Sequence, residues 1–282
     1  MKNIIKNTKK TIAITLSLLF VLNLQAQVPT GENLDFSTGG YQFWQAKTGI
    51  YDGNSSQPIF NWTTSLPDPT QASDAGGRLF EVFNSGTDSY SAGQLSRVPE
   101  GFTHASQINN AYGGTNCSQL QYTMEVNLEN CLLTFMYAMV LESPGHSNYE
   151  NPTFQIDIMK HSPDNGAMLE ELVDACAFFE KSSNTQLPIT EPGVWHTSAT
   201  NSSWIWSNWQ QIKINLARYI GDRVTIRVRL GDCSFSAHGA YGYFTAKAEP
   251  ALINTPGCAG NGDTLTVASA PGGFESYKWF EV

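Results

Sequence analysis

Apolar and polar residues alternate strictly in two neighbouring stretches, 212–216 and 224–230. In the first, Ile212, Ile214 and Leu216 take turns with Lys213 and Asn215. In the second, Val224, Ile226, Val228 and Leu230 take turns with Thr225, Arg227 and Arg229. A pleated strand sends successive side chains to opposite faces, so each stretch predicts a strand with one buried and one wet face. Gly221 supplies the reversal between them. The same period runs through 120–126 and 154–158, and 239–245 predicts a last strand. Residues 132–141 are almost continuously apolar, which predicts a central strand covered on both sides. Residues 59–63 and 78–83 are short apolar runs, bounded by Pro67-Asp68-Pro69 and Asn84-Ser85-Gly86. No stretch sustains a period of 3.6; residues 165–180 come closest, yet Leu172, Ala175, Phe178 and Phe179 equally suit a strand. The sum is an all-β chain of roughly ten to twelve strands in two packed antiparallel sheets. Long connections at 65–77, 84–116 and 180–203 are where binding variation is expected.

Composition sharpens this reading. Aromatic residues make up 12% and charged residues 15%, with 24 glycines, which fits short strands separated by turns. Residues 1–26 read as an export signal. Lys2, Lys6, Lys9 and Lys10 precede an apolar run at 11–24, and Leu24-Gln25-Ala26 offers a cleavage site before Gln27. That run is shorter than the ~20 residues a membrane span needs, so the expected location is secreted or cell-surface, with no span in this chain. Without the four leader lysines, the net charge moves from −9 to −13. A surface this acidic repels phosphate backbones and argues against nucleic acid as a partner. Calcium is the one cofactor such a carboxylate excess suggests, although a solvated acidic face is the commoner reason for it.

Trp209, Ile212, Ile214, Leu216, Tyr219, Gly221, Val224 and Ile226, followed by Asp232, Cys233, His238, Tyr241 and Tyr243, carry a family resemblance. A second match is Tyr137 to His146 followed by Pro152 and Phe154. The pattern resembles a jelly-roll module of bacterial surface proteins, similar to eukaryotic MAM-type adhesion domains, that stands before PKD or immunoglobulin-like repeats. It implies a jelly-roll (concanavalin/MAM-like) β-sandwich over 27–249, in which Leu34 to Ser37, Tyr41 and Trp44 form the opening strand pair. It implies a role class, adhesion or ligand binding, rather than a particular ligand. Residues 250–256 then form a linker. Residues 257–282 resemble the start of an immunoglobulin-like or PKD repeat, with Cys258 on an early strand and Trp279 on a later one. Such a sandwich needs about seven strands, so the chain reads as the N-terminal part of a longer multi-repeat protein.

Cysteine arithmetic is compatible with export. Cys258 is expected to find its partner outside this chain, which leaves Cys117, Cys131, Cys176 and Cys233 with three connectivities. Pairing of Cys176 with Cys233, both at strand ends, is the expectation. Relatives in the resembled family tend to carry a further Cys after the Tyr-x-Tyr strand; here Ala246 to Glu249 contains none, so no bridge carries over.

Three constellations are candidates for a site. Glu142, His146, Asp232 and His238 fall at strand ends in the family pattern; the histidines suit a polar ligand and the two carboxylates suit calcium. The alternative is a hydrogen-bond network that pins loops. Trp204 and Trp206 share one strand face, flanked by Trp195 and Trp209, and exposed indoles stack on sugars. Tyr112, in an Asn-Asn-Ala-Tyr-Gly-Gly loop, is a further stacking candidate, and core packing is the competing explanation for the tryptophans. Asp68, Asp74 and Asp88 sit in polar loops as turn residues or calcium ligands. Catalysis finds little support: there is no G-x-S-x-G, H-E-x-x-H or phosphate-binding loop, and Glu170 and Glu171, adjacent on a strand, point oppositely. The expected function is a non-catalytic exported surface module that binds an extracellular glycan or a surface protein. Trp204, Trp206, His146 and His238 are its expected contact or support residues. The alternatives are an accessory module of a secreted hydrolase and a structural spacer.

Overall fold

The computed structural model describes residues 28–251. The expected leader, most of the linker and the immunoglobulin-like start with Cys258 lie outside the described residues. The strands are β1 (Trp44–Tyr51), β2 (Phe60–Leu66), β3 (Ser73–Asp74), β4 (Gly77–Arg78), β5 (Phe80–Phe83) and β6 (Ala105–Ile108). There follow β7 (Asn116–Glu125), β8 (Leu132–Glu142), β9 (Thr153–His161), β10 (Met168–Leu172) and β11 (Phe178–Ser182). The last are β12 (Trp195–Thr197), β13 (Trp204–Ser207), β14 (Gln210–Asn215), β15 (Arg223–Gly231) and β16 (Ala240–Glu249). Fourteen of them build two seven-stranded antiparallel sheets, a jelly-roll β-sandwich, and β3 pairs with β4 in a separate two-stranded sheet. The first sheet runs β10-β9-β15-β7-β1-β2, with β11 also on β9; the second runs β12-β13-β8-β16-β6-β5, with β14 also on β8. Among the described residues no helix is long and apolar enough to cross a membrane.

Period-2 alternation decides which side chains meet between the sheets. From the first sheet, Trp44, Leu120, Tyr122, Phe154, Ile156, Val224, Ile226 and Val228 point inward; from the second come Leu133, Phe135, Tyr137, Leu141 and Phe244. Phe36 stacks on Trp44 with ring centroids 5.0 Å apart, and Trp44 meets Phe244 edge-on at 5.9 Å, which ties the two layers together. Burying one such side chain stabilises by about 1.5–3 kcal/mol, so this layer carries the stability of the sandwich. Gly242 lies on the inward row of β16; a Cβ there would stand 3.1 Å from the Phe154 ring, so the missing side chain makes room for that ring.

Two expectations are corrected. The strict alternators β14 and β15 do not pair with each other: β14 lies on β8 in the second sheet and β15 lies between β7 and β9 in the first. The turn at Gly221 (φ 92°) therefore hands the chain from one layer to the other. The segment from Leu34 to Tyr41 is a run of turns, not a strand pair, although Leu34, Phe36 and Tyr41 still plug the core. Residues 165–180 resolve as β10, a 3-10 turn and β11, in keeping with the strand alternative.

Candidate functional site

The outer face of the second sheet does not offer the expected tryptophan platform. Trp204 and Trp206 are each only 3% exposed, covered by residues from the 84–104 connection and by β12. Tyr90 stacks on Trp204 at 4.2 Å, and the His196 ring stacks on Trp206 at 4.2 Å. Trp209 packs against the same cluster and donates from Nε1 to the Ser96 carbonyl at 2.8 Å. Trp195 is in the main core. These indoles are packing residues, and a sugar cannot reach the stacked faces of Trp204 or Trp206. Their cover is bolted down by Asp88, whose Oδ2 accepts from the hydroxyls of Tyr241 and Tyr243.

The outer face of the first sheet carries the residues that sequence reasoning passed over. Antiparallel register places Asp157, Arg227, Gln121 and Gln45 side by side across β9, β15, β7 and β1. One step along the strands lie Gln155, Arg229, Gln119 and Lys47. Arg227 grips Asp157 from Nε at 2.6 Å and from Nη2 at 3.2 Å, and reaches Glu170 at 3.0 Å. Arg229 also bonds Asp157. Gln119 donates to Gln121 Oε1 at 2.9 Å, and Gln121 donates to Gln45 Oε1 at 2.9 Å. A chain of oriented amides therefore runs into a fork of guanidinium and carboxylate groups. Arg229 Nε and Gln155 Oε1 are buried with no hydrogen-bond partner, two open valences on the same row. Buried polar atoms are rarely left unpaired, so such atoms ask for a missing partner.

One end of this face is walled by aromatic rings. A strip of small residues, Thr153, Gly231, Cys117 and Gly49, follows in register. Tyr51 lies over Gly231, where a Cβ would fall 2.3 Å from its ring, and the Tyr51 hydroxyl donates to the Tyr149 carbonyl at 2.8 Å. Phe60 packs on Tyr51 at 5.2 Å, Trp62 stacks parallel to Phe60 at 5.5 Å, and the Arg229 guanidinium sits 5.3 Å above Phe60. Phe60 and Trp62 remain half-buried. Next to the amides, Gln45, Lys47, Ser65, Pro67 and Gln121 line an open depression of about 240 Å³. The signal was present in the sequence as Gln119/Gln121, Gln155/Asp157 and Arg227/Arg229, polar residues two apart in three strands. Only strand order shows that they form one surface.

The rim beyond Cys117 gathers most of the other predicted residues. His146, Cys233 and His238 offer ligand atoms that all lie within 4.8 Å of one another. Phe235, 59% exposed, rests on His146 with ring centroids 4.7 Å apart. Tyr112 is 47% exposed on the adjoining loop; Gly113 abuts the Ala237 carbonyl and Gly239 abuts the Ala111 carbonyl, approaches that a Cβ would block. Of the stacking candidates, Tyr112 is the one that stays open to solvent. Burial pushes the Cys233 thiol above its ordinary pKa, against the opposing backbone hydrogen bonds from Phe235 and Ala237, while Asp232 and Glu142 add to the rise.

The calcium pair does not converge as expected. Asp232 is fully buried; its Oδ1 accepts from Asn109 at 2.8 Å and from the Ala240 amide at 3.1 Å. Glu142 accepts from the Ser203 hydroxyl at 3.2 Å and the Gly239 amide at 3.1 Å. Among the described residues, neither belongs to a set of three or more ligating groups, whereas calcium takes six to eight oxygens. Asp68 caps a 3-10 turn, Asp74 accepts from Asn110 and Asn116, and Asp88 holds the two tyrosines. The Cys176–Cys233 bridge is corrected as well: Cys117, Cys131 and Cys233 are free thiols. Cys233 follows Gly231, which pairs with Thr153 at the start of β9, while the 3-10 turn Ala175–Ala177 follows Val173, whose amide bonds the Ile158 carbonyl near the other end of that strand. Five residues of strand span about 17 Å, far beyond the ~7 Å Cα limit of a disulfide.

No protein-family profile matches the chain, and no curated protein matches it. Solved structures give distant likenesses. A carbohydrate-binding module, TmCBM61, solved with β-1,4-galactotriose, is 12% identical over 77% of this chain and 97% of its own, with a TM-score of 0.35. The family 11 carbohydrate-binding module of a cellulosomal cellulase from Clostridium thermocellum is 9% identical over 80% and 98%, with a TM-score of 0.33. The enzymatically active domain of bacteriophage CBA120 tailspike protein 4 is 6% identical over 78% of this chain and 21% of its own, at 0.37. Scores this low leave function to be argued from the residues themselves.

Proposed function

We propose that this sandwich is a non-catalytic glycan-binding module, and that the outer face of the first sheet is its binding surface. The observation that carries the reading is the juxtaposition of the Tyr51–Phe60–Trp62 aromatic wall with the Gln119–Gln121–Gln45 amide chain and the Arg229–Asp157–Arg227 fork. A sugar has apolar C–H faces and a rim of hydroxyls, each a donor and an acceptor. Aromatic rings suit the former, and the more accessible side chains of the row, Gln45, Gln121 and Arg229, suit the latter, held in place from beneath by the buried Gln119, Asp157 and Arg227. Because the polar side chains already hold one another in place, binding loses little side-chain entropy to ordering. The acidic balance of the chain disfavours polyanionic glycans and points to neutral ones. In an exported multi-repeat protein, such a module anchors its bearer to a polysaccharide.

Affinity electrophoresis through gels cast with soluble neutral polysaccharides tests the reading. At least one neutral glycan is expected to retard the protein. Free migration through glucans, xylans, mannans and galactans alike would leave the module without this role.

A further inference from the structure

We propose that His146, Cys233 and His238 form a binding site for a borderline-soft divalent cation of the zinc class, ligated by two imidazoles and one thiolate with a fourth position open. This inference does not rest on the glycan reading.

The three donor atoms lie within 4.8 Å of one another. His146 Nε2 and His238 Nδ1 are both buried and have no hydrogen-bond partner, and Cys233 is buried with a free thiol. The unpaired Nε2 of His196 belongs to a ring stacked on Trp206 and is not part of that cluster. At His146 and His238 two unpaired nitrogens face one problem together, and one cation bound to both would solve it. Zinc bonds of ~2.0–2.1 Å to nitrogen and ~2.3 Å to sulfur put tetrahedral donors about 3.3–3.6 Å apart, so small ring rotations close the set. Two nitrogens and a sulfur suit zinc and its first-row neighbours and exclude calcium and magnesium, which demand oxygen.

The backbone that carries these donors is held on both sides. Asn151 accepts from the His146 amide at 3.1 Å and donates to the His146 carbonyl at 2.8 Å. The Cys233 amide donates to the His238 carbonyl at 3.2 Å, and the Phe235 amide points to the Cys233 sulfur at 3.3 Å. Ser236, in the left-handed region at φ 61°, makes the tight turn between them. Glu142 takes the Gly239 amide and fixes the far end of the loop. Phe235 lies against His146 and limits the access of water from that side.

The full chain, reduced and stripped with chelator, is titrated calorimetrically with Zn2+ alone and, in parallel, with Ca2+; Co2+ serves as an optical reporter of thiolate ligation. The expected result is saturable binding of one Zn2+ that raises the melting temperature, with a thiolate-to-cobalt absorption band. Cys233→Ser removes the band, and His238→Ala weakens Zn2+ binding by at least about tenfold, while near-UV circular dichroism stays as in the wild type. Where His238→Ala fails to fold, His146→Gln carries the same test. Absence of saturable Zn2+ binding, retention of the cobalt band in Cys233→Ser, or Ca2+ bound as tightly as Zn2+ would overturn the site.

Discussion

The Tyr241 hydroxyl of β16 donates to the Asp88 carboxylate at 2.5 Å, and both residues are buried where the 84–104 loop packs onto the sheet beside Trp204. Tyr243 donates to the same oxygen at 2.9 Å, so one aspartate fastens residues 84–104 to β16. Hydrogen bonds to a charged partner are worth about 1.5–3 kcal/mol each. Asp88→Ala is expected to lower stability by about 3 kcal/mol, to shift tryptophan emission to the red and to open residues 84–104 to protease. Unchanged emission and an unchanged digestion pattern would show that the loop is held by something else.

The buried phenols set an alkaline limit on the fold. Burial raises the pKa of Tyr41, Tyr51, Tyr122, Tyr137, Tyr241 and Tyr243 above its ordinary value, and at Tyr241 and Tyr243 the Asp88 carboxylate adds to the rise. A pKa raised on folding leaves stability intact below the unfolded value, about 10, and drains it as pH climbs toward the folded value. The urea midpoint is expected to hold level up to about pH 10 and to fall steeply above it. A flat profile to pH 12 would contradict the burial of these rings.

Arg227 and Glu170 should respond unequally to truncation. Asp157 is 1% exposed and shared between Arg227 and Arg229, whereas the Glu170 side chain is largely open to water. Removing one partner of a buried pair costs about 3–5 kcal/mol, and removing an exposed one costs about 1 kcal/mol or less. Chemical denaturation of Arg227→Ala is expected to show a loss near 3 kcal/mol, against little change in Glu170→Ala. Equal losses would mean that the fork on this face is not the buried unit described here.

Period-2 alternation made the sheets legible. β7, β8, β9, β14, β15 and β16 all fall on stretches whose apolar residues recur every second position or run unbroken, because interior packing is what selects such a pattern. Strand order was not legible, since alternation says which residues share a face and not which strands are neighbours. That is why residues 212–216 and 224–230 read as adjoining strands although they lie in different sheets. The same blindness hid the polar ladder: Gln119, Gln155 and Arg229 each look like ordinary wet-face residues until β9, β15 and β7 are laid side by side. Trp204 and Trp206 misled for the opposite reason. Nothing local reveals that Tyr90, more than a hundred residues earlier, folds back onto Trp204, or that the pairing of β12 with β13 lays the His196 ring on Trp206. His146 and His238 were legible as a pair through the resemblance, yet the third member of their cluster was read as a disulfide partner.

The central claim is that the aromatic and amide face of the first sheet grips neutral sugar chains. Its most direct test compares wild type, Trp62→Ala and Trp209→Ala in one polysaccharide-containing gel, against a gel without the polymer. Trp62→Ala is expected to lose at least about tenfold in affinity, equivalent to about 1.4 kcal/mol, with Trp209→Ala retarded like the wild type. Equal retardation of Trp62→Ala and wild type, or selective loss in Trp209→Ala, would contradict the account.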